Sequence, residues 1–226
     1  MKSFIKNLYK HRFEIFLSTQ LLVLFGSLLF PLQYFENVMM PIFLLLNITS
    51  GILMVSKNKV VWLILSFFFL AFGFFGLDML TKRDTEDYMW VRLFIYFFFY
   101  IVVTWHIIKQ VWAEKQVDKK VILGLMSGYI SLGFLAFFLF LTIELWSPGS
   151  FAGTLLDPEQ AFNIRMDSLM YYAYITLLTI GYGEIVPITP MAQKAAILIG
   201  LVGQFYIAII TAVVIEKYIR HTVSKK

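Results

Sequence analysis

Long apolar runs separated by short polar and basic clusters organise this chain. A helix crossing a bilayer core needs about 20 mostly apolar residues. Six runs meet that length, at roughly 13–33, 38–56, 60–80, 89–112, 121–146 and 193–217. The second carries Pro41 near its start and Asn47 in its middle, and the charge pattern is what requires it. With the N-terminus inside, six spans leave only Lys82, Arg83, Arg92, Arg165 and Lys194 outside, of 19 Lys and Arg in all. Such a bias sets orientation, so both termini are expected to be cytoplasmic.

The composition agrees: 60% of residues are hydrophobic and 18% aromatic, too little polar surface to cover a soluble globule of this length. The absence of cysteine excludes a disulfide framework and thiolate metal sites. A net charge of +5 could suggest nucleic-acid binding, but the basic residues lie in short clusters beside apolar runs, where membrane orientation accounts for them. No nucleic-acid partner is expected; membrane lipid is. The first residues, MKSFIKNLYKHRFEIF, have the charge distribution of a signal peptide without a small-residue cleavage site, so they are expected to be retained.

The segment from Ser147 to Ala192 differs from the spans. Its first part, SPGSFAGTLLDPEQAFN, is rich in turn formers and is expected to be an exposed extracellular loop. Its second part, MDSLMYYAYITLL, opens on Asp167 and Ser168 as helix-capping residues and is too short to span. A re-entrant half-helix is therefore expected, ending at TLLTIGYGEIVP, Thr176 to Pro187. A bare Gly-x-Gly reads as a surface turn. At membrane depth, however, non-helical backbone persists only where it is buried in protein or lines a water-filled cavity. The carbonyls of Thr179 to Gly183 then need a partner, and a dehydrated cation meets that need. Gly181 and Gly183 permit the backbone conformations that turn successive carbonyls one way.

The string Thr176-x-x-Thr179-Ile180-Gly181-Tyr182-Gly183-Glu184 resembles the filter of potassium channels, with Glu184 where Asp is usual. The resemblance covers about 121–217. It implies an all-α membrane protein: six transmembrane helices with a re-entrant pore helix and filter loop between helices five and six, assembled as a homotetramer. Residues 1–120 would form a four-helix peripheral region and 121–226 the pore domain. It also implies K⁺ as the permeant ion, held by Thr179, Ile180, Gly181, Tyr182 and Gly183. Tyr171, Tyr172 and Tyr174 would form an aromatic cuff bracing Tyr182, or pack as an ordinary amphipathic face. Glu184 would bond Tyr171, and Gly203 stands where many relatives have an inner-helix hinge.

On the last span Gln204, Ile207, Thr211 and Ile215 recur at helical spacing, which puts them on one face. That face lines a water-filled cavity, with Ile215 as a constriction, or else packs on another helix. In the fourth span only Arg92 and Lys109 are basic, one at each end, so little gating charge is available and steep voltage dependence is not expected. The arm before the first span and the tail after the last are too short to fold as ligand-binding domains. Glu144 is expected to find a polar partner in the pore loop. His11, His106 and His221 could titrate near neutrality, though interfacial packing also explains them. The expected function is passive, potassium-selective conduction across the cell membrane. Alternatives are a less selective monovalent cation channel, or a cation transporter with a broken helix, which would need internal repeats. No catalytic constellation stands out, so neither an enzyme nor an organic cofactor is expected.

Overall fold

The computed structural model describes residues 9–31, 34–35, 39–55, 86–113, 119–156 and 162–223. The expected span at 60–80 lies outside them. The described chain is mostly helical: α1 (Arg12–Phe25), α2 (Met40–Val55), α3 (Glu86–Ala113), α4 (Lys119–Trp146), α5 (Phe162–Leu177) and α6 (Pro190–Val223), with strands β1 (Phe151–Gly153) and β2 (Ile185–Pro187). Among the described residues three helical stretches are long and apolar enough to cross a membrane: Leu93–Ala113, Val121–Trp146 and Pro190–Glu216.

Boundaries differ from the sequence expectation in two places. The first apolar run is α-helical only to Phe25 and closes with a 3₁₀ turn, Gly26–Leu28. Pro31 follows, and a proline ring cannot continue the ladder. Helix α5 starts at Phe162, ahead of Asp167, so Asp167 and Ser168 lie inside the helix rather than capping it. Between Pro158 and Asp167 the sequence holds no glycine or proline, and a nucleated helix propagates at little cost. The 16 residues of α5 give about 24 Å, short of the roughly 30 Å of a hydrocarbon core.

The chain divides into two compact units, one formed by residues 1–114 and 118–128, the other by 115–117 and 129–226. The first gathers α1, α2, α3 and the start of α4 around a buried polar network. Asn47 is fully buried; its Nδ2 donates to Thr19 Oγ1 at 2.9 Å, its Oδ1 accepts from Tyr100 OH at 2.8 Å, and Thr19 Oγ1 lies 3.0 Å from Ser50 Oγ. A buried amide is costly without such partners, which explains how an apolar helix tolerates Asn47. Around the network small residues admit large ones: Phe99 lies over Gly51, and Phe13 with Val111 over Gly124.

Among the described residues, the second unit departs from an all-helical chain. β1 pairs antiparallel with β2, Ala152 opposite Val186, so the stretch expected to be only an exposed loop contains a strand. Two local features hold it there. The Glu144 carboxylate at the end of α4 accepts from the backbone N–H groups of Gly149 (2.9 Å) and Phe151 (3.1 Å). The rings of Phe151, Phe140 of α4 and Tyr172 of α5 pack against one another, centroids 5.0–5.4 Å apart. Gly153 lets the Glu184 carbonyl approach where a Cβ would collide with it.

Asn47→Leu deletes a donor and an acceptor that bridge three helices. It is expected to destabilise the fold by about 1–3 kcal/mol, read as a lower thermal midpoint in detergent. An unchanged midpoint would show that the network contributes nothing.

Candidate functional site

The C-terminal end of α5 is fixed first. Tyr129 OH donates to the Leu177 carbonyl at 3.2 Å, and Tyr174 OH donates to the Ile130 carbonyl at 2.8 Å. The Tyr174 ring lies over Gly133 and meets Phe134 edge-on. From α6, Gly203 approaches the Leu177 carbonyl so closely that a Cβ there would overlap it. Gly203 is thus a contact glycine within one chain. The tyrosines separate by role: Tyr172 and Tyr174 face α4, while Tyr171 is exposed and donates to Glu184 Oε2 at 3.3 Å.

Beyond Leu177 the chain leaves the helix through a defined cap. Ile180 N–H donates to the Ile175 carbonyl at 2.8 Å and Thr179 N–H to the Thr176 carbonyl at 3.0 Å. Nested bonds of this kind are the Schellman arrangement, whose closing residue is left-handed and usually glycine. Here that residue is Thr179, at φ 56°. Left-handed backbone costs an L-residue roughly 1–2 kcal/mol, more awkwardly still for a β-branched one, so neighbouring contacts must hold it. One is direct: Gln204 Nε2 donates to Thr179 Oγ1 at 2.9 Å.

The cap is the first step of an alternation. Gly181 has φ 62° and Gly183 φ 92°, whereas Ile180 and Tyr182 are not at positive φ. In an extended strand successive carbonyls point to opposite sides. Alternating left- and right-handed residues instead turn consecutive peptide groups toward one concave side. Among the described residues the carbonyls of Thr179, Ile180, Gly181, Tyr182 and Gly183 accept no hydrogen bond. All five residues are exposed in the single chain, Tyr182 by 68%. Unpaired carbonyls at the C-terminal end of a helix carry partial negative charge, and a cation is their natural ligand. No group of His, Cys, Asp or Glu among the described residues could hold a metal ion, so the available oxygens are those of the backbone and the Thr179 hydroxyl.

On α6 the sequence-selected face is uncovered: Gln204, Ile207, Thr211 and Ile215 are all exposed. Thr211 Oγ1 donates to the Ile207 carbonyl at 2.8 Å, leaving its methyl and oxygen on that face without a buried polar debt. Sequence reasoning placed Gln204 on this face but did not find its bond to Thr179, nor the contact role of Gly203. A glycine preceding a polar residue in an apolar helix was the available signal.

Residues 130–220 match the family described as "Ion channel". The chain is 31% identical over 87 residues to the potassium voltage-gated channel subfamily A member 10 of Mus musculus, and equally to that of Homo sapiens. It is 30% identical over 87 residues to subfamily A member 2 of Oncorhynchus mykiss. These matches cover 38% of this chain and 17% of each relative's length. No solved structure matches significantly. The likeness to ion channels, and to potassium channels among them, is thus confined to part of the chain, residues 130–220 for the family match.

Gly203→Ala would place a methyl group on the Leu177 carbonyl. Overpacking of this kind is expected to cost about 1–3 kcal/mol, lowering the thermal midpoint. A midpoint equal to the parent's would show that α6 and the end of α5 are not in close contact.

Proposed function

We propose that this chain is one protomer of a homotetrameric, potassium-selective channel that conducts K⁺ passively across the cell membrane. The observation that carries the proposal is the backbone of Thr179–Gly183: three positive φ values at alternate positions and five carbonyls that accept no hydrogen bond among the described residues. One chain supplies one such strand. Four around a symmetry axis would give rings of oxygen able to replace the hydration shell of K⁺. Exposure of the strand and of α6 in the single chain is what a protomer lacking its neighbours would show.

In this reading α5 is the re-entrant pore helix, its C-terminal end adding negative potential behind the ion. Residues 121–226 form the pore domain and 1–120 a peripheral helical region, for six spans with cytoplasmic termini. Tyr171, Tyr172 and Glu184 support the filter: Tyr171 through Glu184, and Tyr172 through the aromatic cluster that fastens β1 to α4 and α5. Gly203 is the inner-helix hinge as well as a contact glycine. Gln204, Ile207, Thr211 and Ile215 line the cavity. With Arg92 and Lys109 as the only Arg or Lys from Met89 to Trp112, gating is not steeply voltage-dependent. Matched relatives carry "potassium" and "voltage-gated" in their names; the first of those properties is proposed for this chain and the second is not.

The test is a bi-ionic reversal potential in liposomes containing the purified protein. It is expected to follow the K⁺ gradient and to ignore Na⁺. Gly181→Ala adds a methyl group into open space within the chain, so its effect reports the left-handed backbone. It is expected to abolish K⁺ selectivity or current. A parent reversal potential near zero under K⁺/Na⁺ exchange would contradict the proposal.

Thr211→Lys would put four positive charges in one confined cavity. Assembled tetramers of this variant are expected to lose most K⁺ flux, by about tenfold or more. Tetramers that conduct like the parent would place Thr211 outside the pathway, and the cavity face with it.

A further inference from the structure

Two uncommon features meet at a single contact. Thr179 is the only non-glycine residue at positive φ among the described residues, and it receives a hydrogen bond from Gln204 Nε2 at 2.9 Å. A left-handed β-branched residue persists only where its surroundings over-determine it. The Thr176 carbonyl fixes the backbone N–H of Thr179, and Gln204 fixes its side chain. Gln204 is itself exposed, flanked by apolar residues on α6, and its polarity serves no buried packing role.

The chemistry at the oxygen is specific. A hydroxyl has one proton and two lone pairs. The amide donor occupies one lone pair and leaves the other for an ion. It also directs the positive end of the amide dipole at the coordinating atom. In a tetramer four such dipoles would act on one ion in a poorly screened space.

We infer that Gln204 is a specificity-determining residue of the conduction path: its amide positions the Thr179 hydroxyl and weakens the hold of the innermost cation site that this hydroxyl lines. The inference rests on the filter reading above. A K⁺-sized divalent cation is the sensitive probe, because double charge amplifies the opposing dipoles. Weak retention of Ba²⁺ in the parent follows, and with it rapid exit of K⁺ toward the cavity.

The experiment titrates BaCl₂ into the purified, detergent-solubilised full-length protein by calorimetry, which does not require conduction. The proteins compared are the parent, Gln204→Met, Gln204→Leu and Gln204→Glu, each confirmed as the same oligomer by size exclusion. Removing the amide in the Met and Leu variants is expected to tighten Ba²⁺ binding about threefold to tenfold, and Glu, which reverses the local charge, by more than about tenfold. In a Thr179→Ala background Gln204→Met is expected to add little, because the acceptor is gone. A Ba²⁺ Kd unchanged within about twofold in every variant that assembles, or an equal Gln204→Met effect with and without the Thr179 hydroxyl, overturns the inference. Should one variant not assemble, the remaining two carry the same comparison. Failure of the filter reading looks different: the parent itself shows no K⁺-selective reversal potential and no Ba²⁺ binding competed by K⁺, and the inference falls with it.

Discussion

Five consecutive backbone carbonyls, Thr179 to Gly183, that accept no hydrogen bond among the described residues would be untenable in a low-dielectric setting unless something else satisfied them, since an unpaired buried polar group costs several kcal/mol. The second unit is arranged around that condition. Thr179, Gly181 and Gly183 adopt positive φ, and the Schellman bonds at Ile175 and Thr176 start the alternation at the end of α5. The strand is then held from both ends. Tyr129 and Gly203 hold the Leu177 end, whereas Tyr171 with Glu184 and the β1–β2 pair hold the Gly183 end. Rigidity matters because in the proposed filter a cation is discriminated by a fixed set of oxygens.

The first unit obeys the same rule with a different solution. Four of its polar residues, Thr19, Asn47, Ser50 and Tyr100, are buried together and satisfy one another, which ties three helices together without charge. In an apolar medium such bonds and close small-residue contacts are what drive helix association. Gly51 beneath Phe99 and Gly124 beneath Phe13 are the contacts of the second kind. The network is neutral, in keeping with a peripheral region proposed to carry little gating charge.

Much of the site was legible in the sequence because it is local. Gly181 and Gly183 announce positive φ, the short apolar stretch before them announces a helix too short to span, and helical spacing alone gathers Gln204, Ile207, Thr211 and Ile215. Glu144 was expected to bond into the following loop, and its carboxylate accepts from Gly149 and Phe151. What could not be read depends on partners distant in sequence. The strand at Phe151–Gly153 exists because Ile185–Pro187 lies opposite it, and turn-forming residues gave no sign of that. Gly203 reads as a flexible point until the Leu177 carbonyl is placed against it. Thr179 carries no signal of left-handed backbone, since threonine disfavours that conformation. Asp167 and Ser168 read as caps, yet α5 starts at Phe162, because no breaker precedes them until Pro158.

The proposed filter depends on the carbonyls of Thr179–Gly183 converging on a cation. Anomalous diffraction from crystals of the full-length protein grown in Tl⁺ tests it most directly. A row of anomalous peaks is expected on a fourfold axis, level with the carbonyls of Thr179, Ile180, Gly181 and Tyr182, with the innermost peak beside Thr179 Oγ1. Peaks confined to other sites, or a tetramer in which these carbonyls face away from the axis, would contradict it.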